Sequence, residues 1–448
     1  MENRKSDFLN GAILSPLLRF AGPVLLALFL QAMYGAVDLI VVGKFAGTAD
    51  ISAVSTGSQA MQLVTSLLVG LTTGVTVLLG QKIGEGKPDE AGSVVGSAIC
   101  LFVCVALALT ALLTVLTEPF CRLLQAPEEA FVPTAQYVRI CSAGTLFIVA
   151  FNVIGSVFRG LGDSKMPLIT VAIACVTNIF GDLLLVDVLQ MGAAGAALAT
   201  VFAQAISVIL SLLVIMRRKL PFTFRKEQLR FDRPLTAGIL RLGIPIALQD
   251  VLVGVSFLVI LAIVNSLGLL QSAGMGIAEK VCAFVMLLPS AFSQSVSAFV
   301  AQNTGAGKPE RAKKALRCGV IVSLCISVFV FYFNFFHGDL LAGIFTNDHA
   351  VILEAADYLK AYAIDCLLTS FLFCFVGYFS GLGKTVFVMT QGILGAFGVR
   401  IPVSFAMSRL PNVRLFYIGL ATPCSTVVQV LLCLGYYAHL AQKERGTR

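Results

Sequence analysis

Tryptophan is absent from this chain of 448 residues, and both histidine and charge are scarce. Only 12% of the residues are Asp, Glu, Lys or Arg, about half the share of an ordinary soluble protein. The three histidines are far apart, and the twelve cysteines contain no Cys-x-x-Cys pair, so neither a zinc site nor a disulfide framework is predicted. These shortages exclude a soluble globular protein.

Long apolar runs replace the missing charge. The chain is 58% hydrophobic with a mean hydropathy of +0.91. A spanning helix needs about 20 apolar residues, whereas a membrane β-barrel shows short segments of alternating polarity. The sequence therefore predicts an all-α integral membrane protein with twelve transmembrane helices, and no cleavable signal peptide precedes the first. The predicted spans are 15–42, 53–79, 93–116, 131–158, 166–189, 192–216, 239–267, 273–301, 316–336, 351–379, 386–407 and 413–440.

Basic residues are distributed unevenly between the two sides of the predicted membrane. If both termini are cytoplasmic, 22 of the 32 Lys and Arg lie on that side and 4 on the other, as the positive-inside rule requires. Seven of them lie in the loop 217–235, which is predicted to be a cytoplasmic basic linker and not a nucleic-acid site. The linker divides an N-terminal six-helix lobe, 1–216, from a C-terminal six-helix lobe, 236–448.

The two predicted lobes carry an internal repeat. A Gly-x-Gly-Lys-Pro turn at 84–88 recurs at 305–309, and Gly-Leu-Gly at 160–162 recurs at 381–383, both at an offset of 221. The turns lack the Gly-Lys-Ser/Thr of a phosphate loop and are predicted to be tight cytoplasmic turns. An even number of helices in each half makes the repeats parallel, an arrangement typical of transporters that work by alternating access.

Polar residues interrupt the predicted helices at a few places. Asp38 lies in the first helix one turn after Tyr34, Asp182 lies in the fifth helix one turn after Asn178, and Thr200 lies in the sixth. A charge inside a membrane helix costs at least about 2.5 to 3.5 kcal/mol. Two carboxylates in one poorly hydrated pocket are not both ionised cheaply, so one holds a proton or a cation binds between them. A buried structural hydrogen-bond network is the alternative.

Other polar or helix-distorting residues are weaker candidates for substrate binding or gating. Pro23 in the first helix has a counterpart, Pro245, in the seventh. For the candidates in the second half, a purely structural role is an equal alternative. The candidates are Gln31, Pro23, Asp250, Asp365 and Lys280.

The combined pattern resembles the multidrug and toxic compound extrusion (MATE) transporters of the MOP superfamily, in particular their DinF-like prokaryotic branch. The similarity extends over essentially the whole chain. The features that carry it are the twelve-helix layout, the twin turns, Gly22-Pro23, Gln31-x2-Tyr34-x3-Asp38, 159–163 with its Gly-Leu-Gly, Asn178-x3-Asp182 and Thr200.

The resemblance implies a role for each matching residue. In this branch the matching side chains form a cation or proton site in the N-terminal lobe, and the proline of helix one is proposed to bend that helix when the acid is protonated. Pro23 inherits the bending role. Sodium-coupled members instead carry carboxylates in the second lobe, at positions that are Val253 and Thr369 here, so an ion site in that lobe stays open. The inherited ion-coupling residues are Tyr34, Asp38, Asn178, Asp182 and Thr200, with Na+ an option at the last four.

The implied activity is secondary antiport. The chain is expected to export amphipathic, cationic organic compounds in exchange for H+ or Na+, with no other cofactor, as a monomer in the cytoplasmic membrane. Two alternatives within the superfamily are a lipid-linked oligosaccharide flippase and a metabolite exporter. An intramembrane enzyme such as a prenyl-phosphate transferase is disfavoured because its clustered catalytic groups are missing, and a channel is disfavoured because no filter-like segment is present.

Overall fold

The computed structural model describes residues 8–217, 220, 222 and 224–446, which form eighteen α-helices and no strand. The first eight are α1 Leu14–Phe45, α2 Thr48–Gly84, α3 Pro88–Val115, α4 Thr117–Leu123, α5 Glu128–Ala143, α6 Thr145–Gly160, α7 Lys165–Asp182 and α8 Gly192–Arg217. The others are α9 Arg233–Asn265, α10 Leu269–Val285, α11 Leu287–Gly305, α12 Pro309–Phe336, α13 Gly338–Gly343, α14 His349–Gly381, α15 Thr385–Ile393, α16 Ile401–Ser408, α17 Leu415–Gly419 and α18 Ala421–Gly446. Two π-helical segments, Leu183–Val188 and Leu394–Arg400, follow α7 and α15 directly.

The membrane spans agree with the sequence-based prediction. Among the described residues, eleven helical segments are long and apolar enough to cross a membrane, and the pair α5 and α6 brings the number to twelve if it counts as one span. That pair is bent by 54°. Gly144 lies at the bend, where a Cβ atom would come within 2.5 Å of the side chain of Val201. The all-α membrane fold is therefore confirmed.

The repeat at an offset of 221 extends to the backbone. α2 ends at Gly84 and α11 at Gly305, and in each case a proline occupies the first turn of the next helix. Gly86 and Gly307 adopt φ values of +71° and +65°, which L-residues with side chains rarely adopt. The short helices α4 and α13 begin at the same offset. The two halves thus share one local architecture.

One compact unit of the described chain contains residues 8–9, 19–247 and 301–307. Its core includes Leu68, Val75 and Leu79 of α2, all fully buried. Small residues bring α2 and α9 very close, since a Cβ atom on Gly70 would lie 2.4 Å from the Cα of Ala247. Close backbone approach at glycine is a usual way for membrane helices to gain packing contacts.

Repeated glycines also make a reciprocal contact inside this first unit. A Cβ atom on Gly84 would lie 2.0 Å from the carbonyl oxygen of Gln302, and one on Gly305 would lie 2.0 Å from the carbonyl oxygen of Gln81. The contact is symmetric because each glycine meets the carbonyl of the residue three positions before the other glycine. The ends of α2 and α11 therefore pack backbone against backbone.

The second compact unit contains residues 10–18, 248–300 and 308–446. α14 is its central helix and packs against α10, α12 and α18. Met275, Leu359 and Ile418 are among its fully buried core residues. Unlike the pair α5 and α6, α14 runs unbroken over 33 residues.

The predicted basic linker is only partly described. Arg218, Lys219, Pro221 and Thr223 lie outside the described residues, as do residues 1–7 and 447–448 of the two termini. Within the described part, Gln228 donates through Nε2 to the carbonyl oxygen of Asp89 at 3.0 Å. The linker thus contacts the beginning of α3, and its role as the boundary between two six-helix lobes stays a proposal.

Candidate functional site

Three helices of the first unit bring the predicted polar residues together. Asp38 comes from α1, Asn178 from α7 and Thr200 from α8. α7 and α8 approach closely because Gly181 faces Ala199, where an added Cβ atom would lie 3.0 Å from the Ala199 methyl group. Gly181 immediately precedes Asp182, and Ala199 immediately precedes Thr200. The close approach of the two helices at these small residues therefore brings the polar side chains of α7 and α8 near each other.

A short hydrogen-bond chain links the three helices. Asn178 Nδ2 donates to Thr200 Oγ1 at 3.4 Å, and Thr200 Oγ1 donates to Asp38 Oδ2 at 3.3 Å. Asp38 is 5% exposed, Asn178 1% and Asp182 0%. The carboxyl groups of Asp38 and Asp182 are close enough to interact electrostatically. Two carboxyl groups in one buried site are not both ionised cheaply unless a proton or a cation binds there.

Four buried oxygen atoms in this cluster have no donor among the described residues. They are Oδ1 of Asp38, Oδ1 of Asn178 and both carboxyl oxygens of Asp182. Leaving one buried polar atom unpaired costs about 1 to 3 kcal/mol, and more for a charged group. A proton or a small hard cation relieves that cost, because carboxylate and amide oxygens are its preferred ligands. The cluster therefore fits a proton or Na+.

The cluster offers oxygen ligands from two acids, one amide and one hydroxyl. The described part of the chain holds no group of three or more His, Cys, Asp and Glu side chains arranged to bind a metal ion. Only two carboxyl groups, Asp38 and Asp182, carry charge in the cluster, and Thr200 and Asn178 contribute neutral oxygens. One bound monovalent cation therefore leaves one negative charge uncompensated unless one of the two carboxyl groups also holds a proton.

Tyr34 and Gln204 extend the cluster by one turn. The Tyr34 side chain lies near that of Gln204. Gln204 is only 9% exposed, and its Oε1 has no donor among the described residues. Sequence analysis missed Gln204, although its position one turn after Thr200 on α8 was an available signal.

The other first-half candidates lie on the same helix without joining the hydrogen bonds. Gln31 is half-buried on α1, one turn before Tyr34. Pro23 lies inside α1, which continues without a break from Leu14 to Phe45. In this structure the proline therefore does not interrupt the helix.

The second-half candidates are not gathered into one site. Asp250 is exposed, and Lys280 is exposed with its ammonium 5.9 Å from the ring of Phe345. Asp365 is 2% exposed, and its neighbours are the Thr426 hydroxyl and Arg400. Of the three predicted candidates in this half, only Asp365 belongs to a buried polar cluster.

No carboxylate occupies the two positions at which the resemblance places a second-lobe ion site. Val253 is aliphatic, and the Thr369 hydroxyl donates to the carbonyl oxygen of Cys366 at 3.0 Å. A buried cation, Arg400, which is 6% exposed, lies in this region near Asp365. Its Nη1 donates to Ser256 Oγ at 3.1 Å, and its guanidinium lies 4.4 Å from the ring centre of Phe257.

We expect Arg400 and Asp365 to stabilise each other. Removing one member of a buried charge pair leaves the other uncompensated, which is more destabilising than removing both. Arg400→Gln and Asp365→Asn should each lower the thermal unfolding midpoint, and the double variant should unfold at a higher temperature than Arg400→Gln alone. Thermal unfolding of the four proteins in detergent measures this coupling; purely additive effects would show that the two charges do not interact.

Comparison with known proteins identifies the chain. The MatE family profile matches residues 23–184 and 245–406, more than half of the sequence. The chain belongs to the MatE family. The two matched segments begin at the repeated prolines and lie in the two halves of the chain, so the internal repeat is a repeat of the MatE unit itself.

Relatives and solved structures agree with this assignment. The chain is 26% identical over 438 residues to the probable multidrug resistance protein YoeA of Bacillus subtilis, covering 96% of this chain and 94% of that protein. It is also 26% identical over 358 residues to an FAD transporter of Shewanella oneidensis, covering 78% of each. A crystal structure of MATE in complex with MaL6 superimposes with a TM-score of 0.93 at 18% identity, covering 99% and 100% of the two chains.

Membership in the MatE family settles the class of activity. This MatE protein is a multi-pass membrane transporter and not an enzyme. The expectation that the chain is a MATE-type transporter is therefore confirmed.

Proposed function

We propose that this MatE protein is a secondary antiporter that exports amphipathic organic cations in exchange for H+ or Na+. The observation that carries the proposal is the group of unpaired buried oxygens on Asp38, Asn178 and Asp182. An ion bound by these oxygens stabilises the conformation in which they are buried. Ion binding and conformation are therefore linked. Thr200, which bonds to both Asp38 and Asn178, and Tyr34 complete the ion-coupling set.

Linkage explains how one ion can drive export. If the ion and the substrate prefer different conformations of the same protein, each lowers the affinity for the other by the same factor. A one-for-one exchange of monovalent cations moves no net charge, so the concentration gradient of the ion drives export, and each tenfold gradient supplies about 1.4 kcal/mol. H+ or Na+ is then the only additional species required.

The names of relatives support the substrate class. YoeA is named as a probable multidrug resistance protein, and multidrug exporters characteristically act on amphipathic organic compounds. We propose that the chain acts as a monomer in the cytoplasmic membrane with both termini in the cytoplasm. The basic linker 217–235 then joins an N-terminal lobe that binds the ion to a C-terminal lobe.

A transport assay with separate gradients tests the proposal. Purified protein in liposomes is given ethidium, with a proton gradient in one sample and a sodium gradient in the other. Ethidium accumulation driven by one gradient, and absent from protein-free liposomes, supports antiport and identifies the ion. Accumulation under neither gradient by folded protein would contradict it.

The Thr200 hydroxyl should contribute measurably to ion affinity. Thr200→Val keeps the size of the side chain and removes the donor to Asp38 Oδ2, leaving another buried oxygen unpaired. We expect the ion concentration that half-saturates transport to rise by about tenfold or more. Thr200→Ser keeps the hydroxyl and should behave like the unaltered protein; equal behaviour of the two variants would show that the hydroxyl plays no part.

Export of an anionic metabolite is a second candidate function. Arg400 is buried, and its Nε has no acceptor among the described residues, so it is a fixed positive charge with a free donor. The related protein of Shewanella oneidensis is named an FAD transporter, and FAD carries a pyrophosphate. FAD transport by the liposomes in place of ethidium, lost in Arg400→Gln, would favour this candidate over drug export.

A further inference from the structure

A cavity of about 310 Å³ lies within the second compact unit, and none of its lining residues belongs to either buried polar cluster. It is formed where α12 and α15 begin and α14 and α18 end, so the ends of four helices surround it. Its charged and aromatic lining consists of Lys313, Lys384, Lys443, Glu444, Tyr378 and Tyr437.

Positive charge predominates in this cavity. Lys313 pairs with Glu444 at 2.6 Å and with Glu310 at 3.1 Å. Lys384 is exposed, and no acceptor for its ammonium group lies within hydrogen-bonding distance among the described residues. As the N-cap residue of α15, Lys384 also lies at the positive end of that helix. The cavity therefore presents at least one uncompensated cation to an anionic ligand.

The walls of the cavity are both apolar and polar. Leu382 and Leu440 line it together with the two tyrosines, whose ring centres are 5.8 Å apart. Tyr378 is only 4% exposed, so the tyrosines form part of the wall and not a mobile rim. Tyrosine and lysine at the ends of membrane helices lie at the depth of the lipid headgroups.

We propose that this cavity binds the phosphate of an anionic phospholipid headgroup. Lys384 would contact the phosphate oxygens, and the leucines and tyrosines would contact the glycerol and the first methylenes. Basic pockets between membrane helices on the cytoplasmic side recognise anionic headgroups in this way. A free phosphate shares the same charge but makes no use of the apolar wall. The site shares no residue with the ion cluster and does not depend on which substrate is exported.

A thermal unfolding titration tests this site. Delipidated protein in detergent is titrated with dioctanoyl phosphatidylglycerol, dioctanoyl phosphatidylcholine, glycerol phosphate or inorganic phosphate. A thiol-reactive dye reports unfolding, because the chain contains twelve free cysteines. Lys384→Gln removes one charge from the cavity, and Lys314→Gln removes an exposed lysine that does not line it.

The expected result is specific to lipid and to position. Phosphatidylglycerol should raise the unfolding midpoint of the unaltered protein and of Lys314→Gln at the same concentrations, while Lys384→Gln should require about fivefold more. Phosphatidylcholine and the two soluble phosphates should have no comparable effect. An equal effect of phosphatidylcholine, the same titration for both variants, or full stabilisation by inorganic phosphate would each overturn the proposal.

Discussion

Asp38→Asn is expected to abolish ion-driven transport, reducing ethidium accumulation to the level of protein-free liposomes. The substitution preserves the shape of the side chain but removes the charge that the coupling ion neutralises. The unpaired oxygens of Asp182 then face an amide that can donate to them, so the cluster is satisfied without a cation. Because no coupling ion binds, neither the proton gradient nor the sodium gradient drives transport. Ion binding and substrate binding are no longer linked.

Asp182→Asn should have the same effect because its carboxyl group shares the site. Asp187→Asn is the matched control, since Asp187 lies five residues later in the π-helical segment after α7 and has no unpaired buried oxygen in the described structure. It should transport normally. Retained gradient-driven export by well-folded Asp38→Asn and Asp182→Asn proteins would show that the carboxyl groups have only a structural role.

Gly84→Ala and Gly305→Ala are expected to have the largest effects on folding. Each methyl group would lie 2.0 Å from a main-chain carbonyl oxygen, and a carbonyl cannot move aside as the end of a flexible side chain can. The ends of α2 and α11 must therefore separate. Overpacking of this kind costs about 1 to 3 kcal/mol at one site, and the two substitutions act on one contact. We expect lower thermal unfolding midpoints and lower yields of monodisperse protein.

Gly43→Ala provides the control for the glycine substitutions. Gly43 lies inside α1, and a Cβ atom there would meet nothing within 4 Å. Alanine favours the helix more than glycine does, so this variant should be as stable as the unaltered protein or slightly more stable. Unfolding midpoints for Gly84→Ala and Gly305→Ala that match that of Gly43→Ala would show that the close crossing contributes little.

The helices and the repeat were predictable from the sequence because each is recognised from a short run of adjacent residues. Apolar runs must form helices in lipid, and the Gly-Lys-Pro turns fix their ends at Gly84 and Gly305. The bend at Gly144 was not predictable. A glycine in an apolar run is compatible with a straight helix, and the close contact with Val201 that accompanies the bend involves a residue of another helix.

The candidate site was predictable in its residue types but not in its contacts. A charged side chain in a membrane helix costs free energy, so each carboxyl group such as Asp38 stands out in the sequence as a candidate functional residue. That Asp38 meets Thr200, 162 residues away, depends on how α1 packs against α8. The proximity of Gln204 to Tyr34 likewise depends on helix packing, so the sequence offered only its position one turn after Thr200. The basic cavity, built by four helix ends, has no local signal.

We propose that the cluster of Asp38 and Asp182 holds a single coupling cation and releases it when substrate binds. The most direct measurement counts ions in weakly buffered detergent solution as ethidium is added to purified protein, with a pH electrode for H+ and bound radioactive sodium for Na+. The expected result is the release of about one H+ or one Na+ per ethidium bound, and none from the Asp38→Asn and Asp182→Asn double variant. Stoichiometric ethidium binding with no release of either ion from the unaltered protein would contradict this exchange.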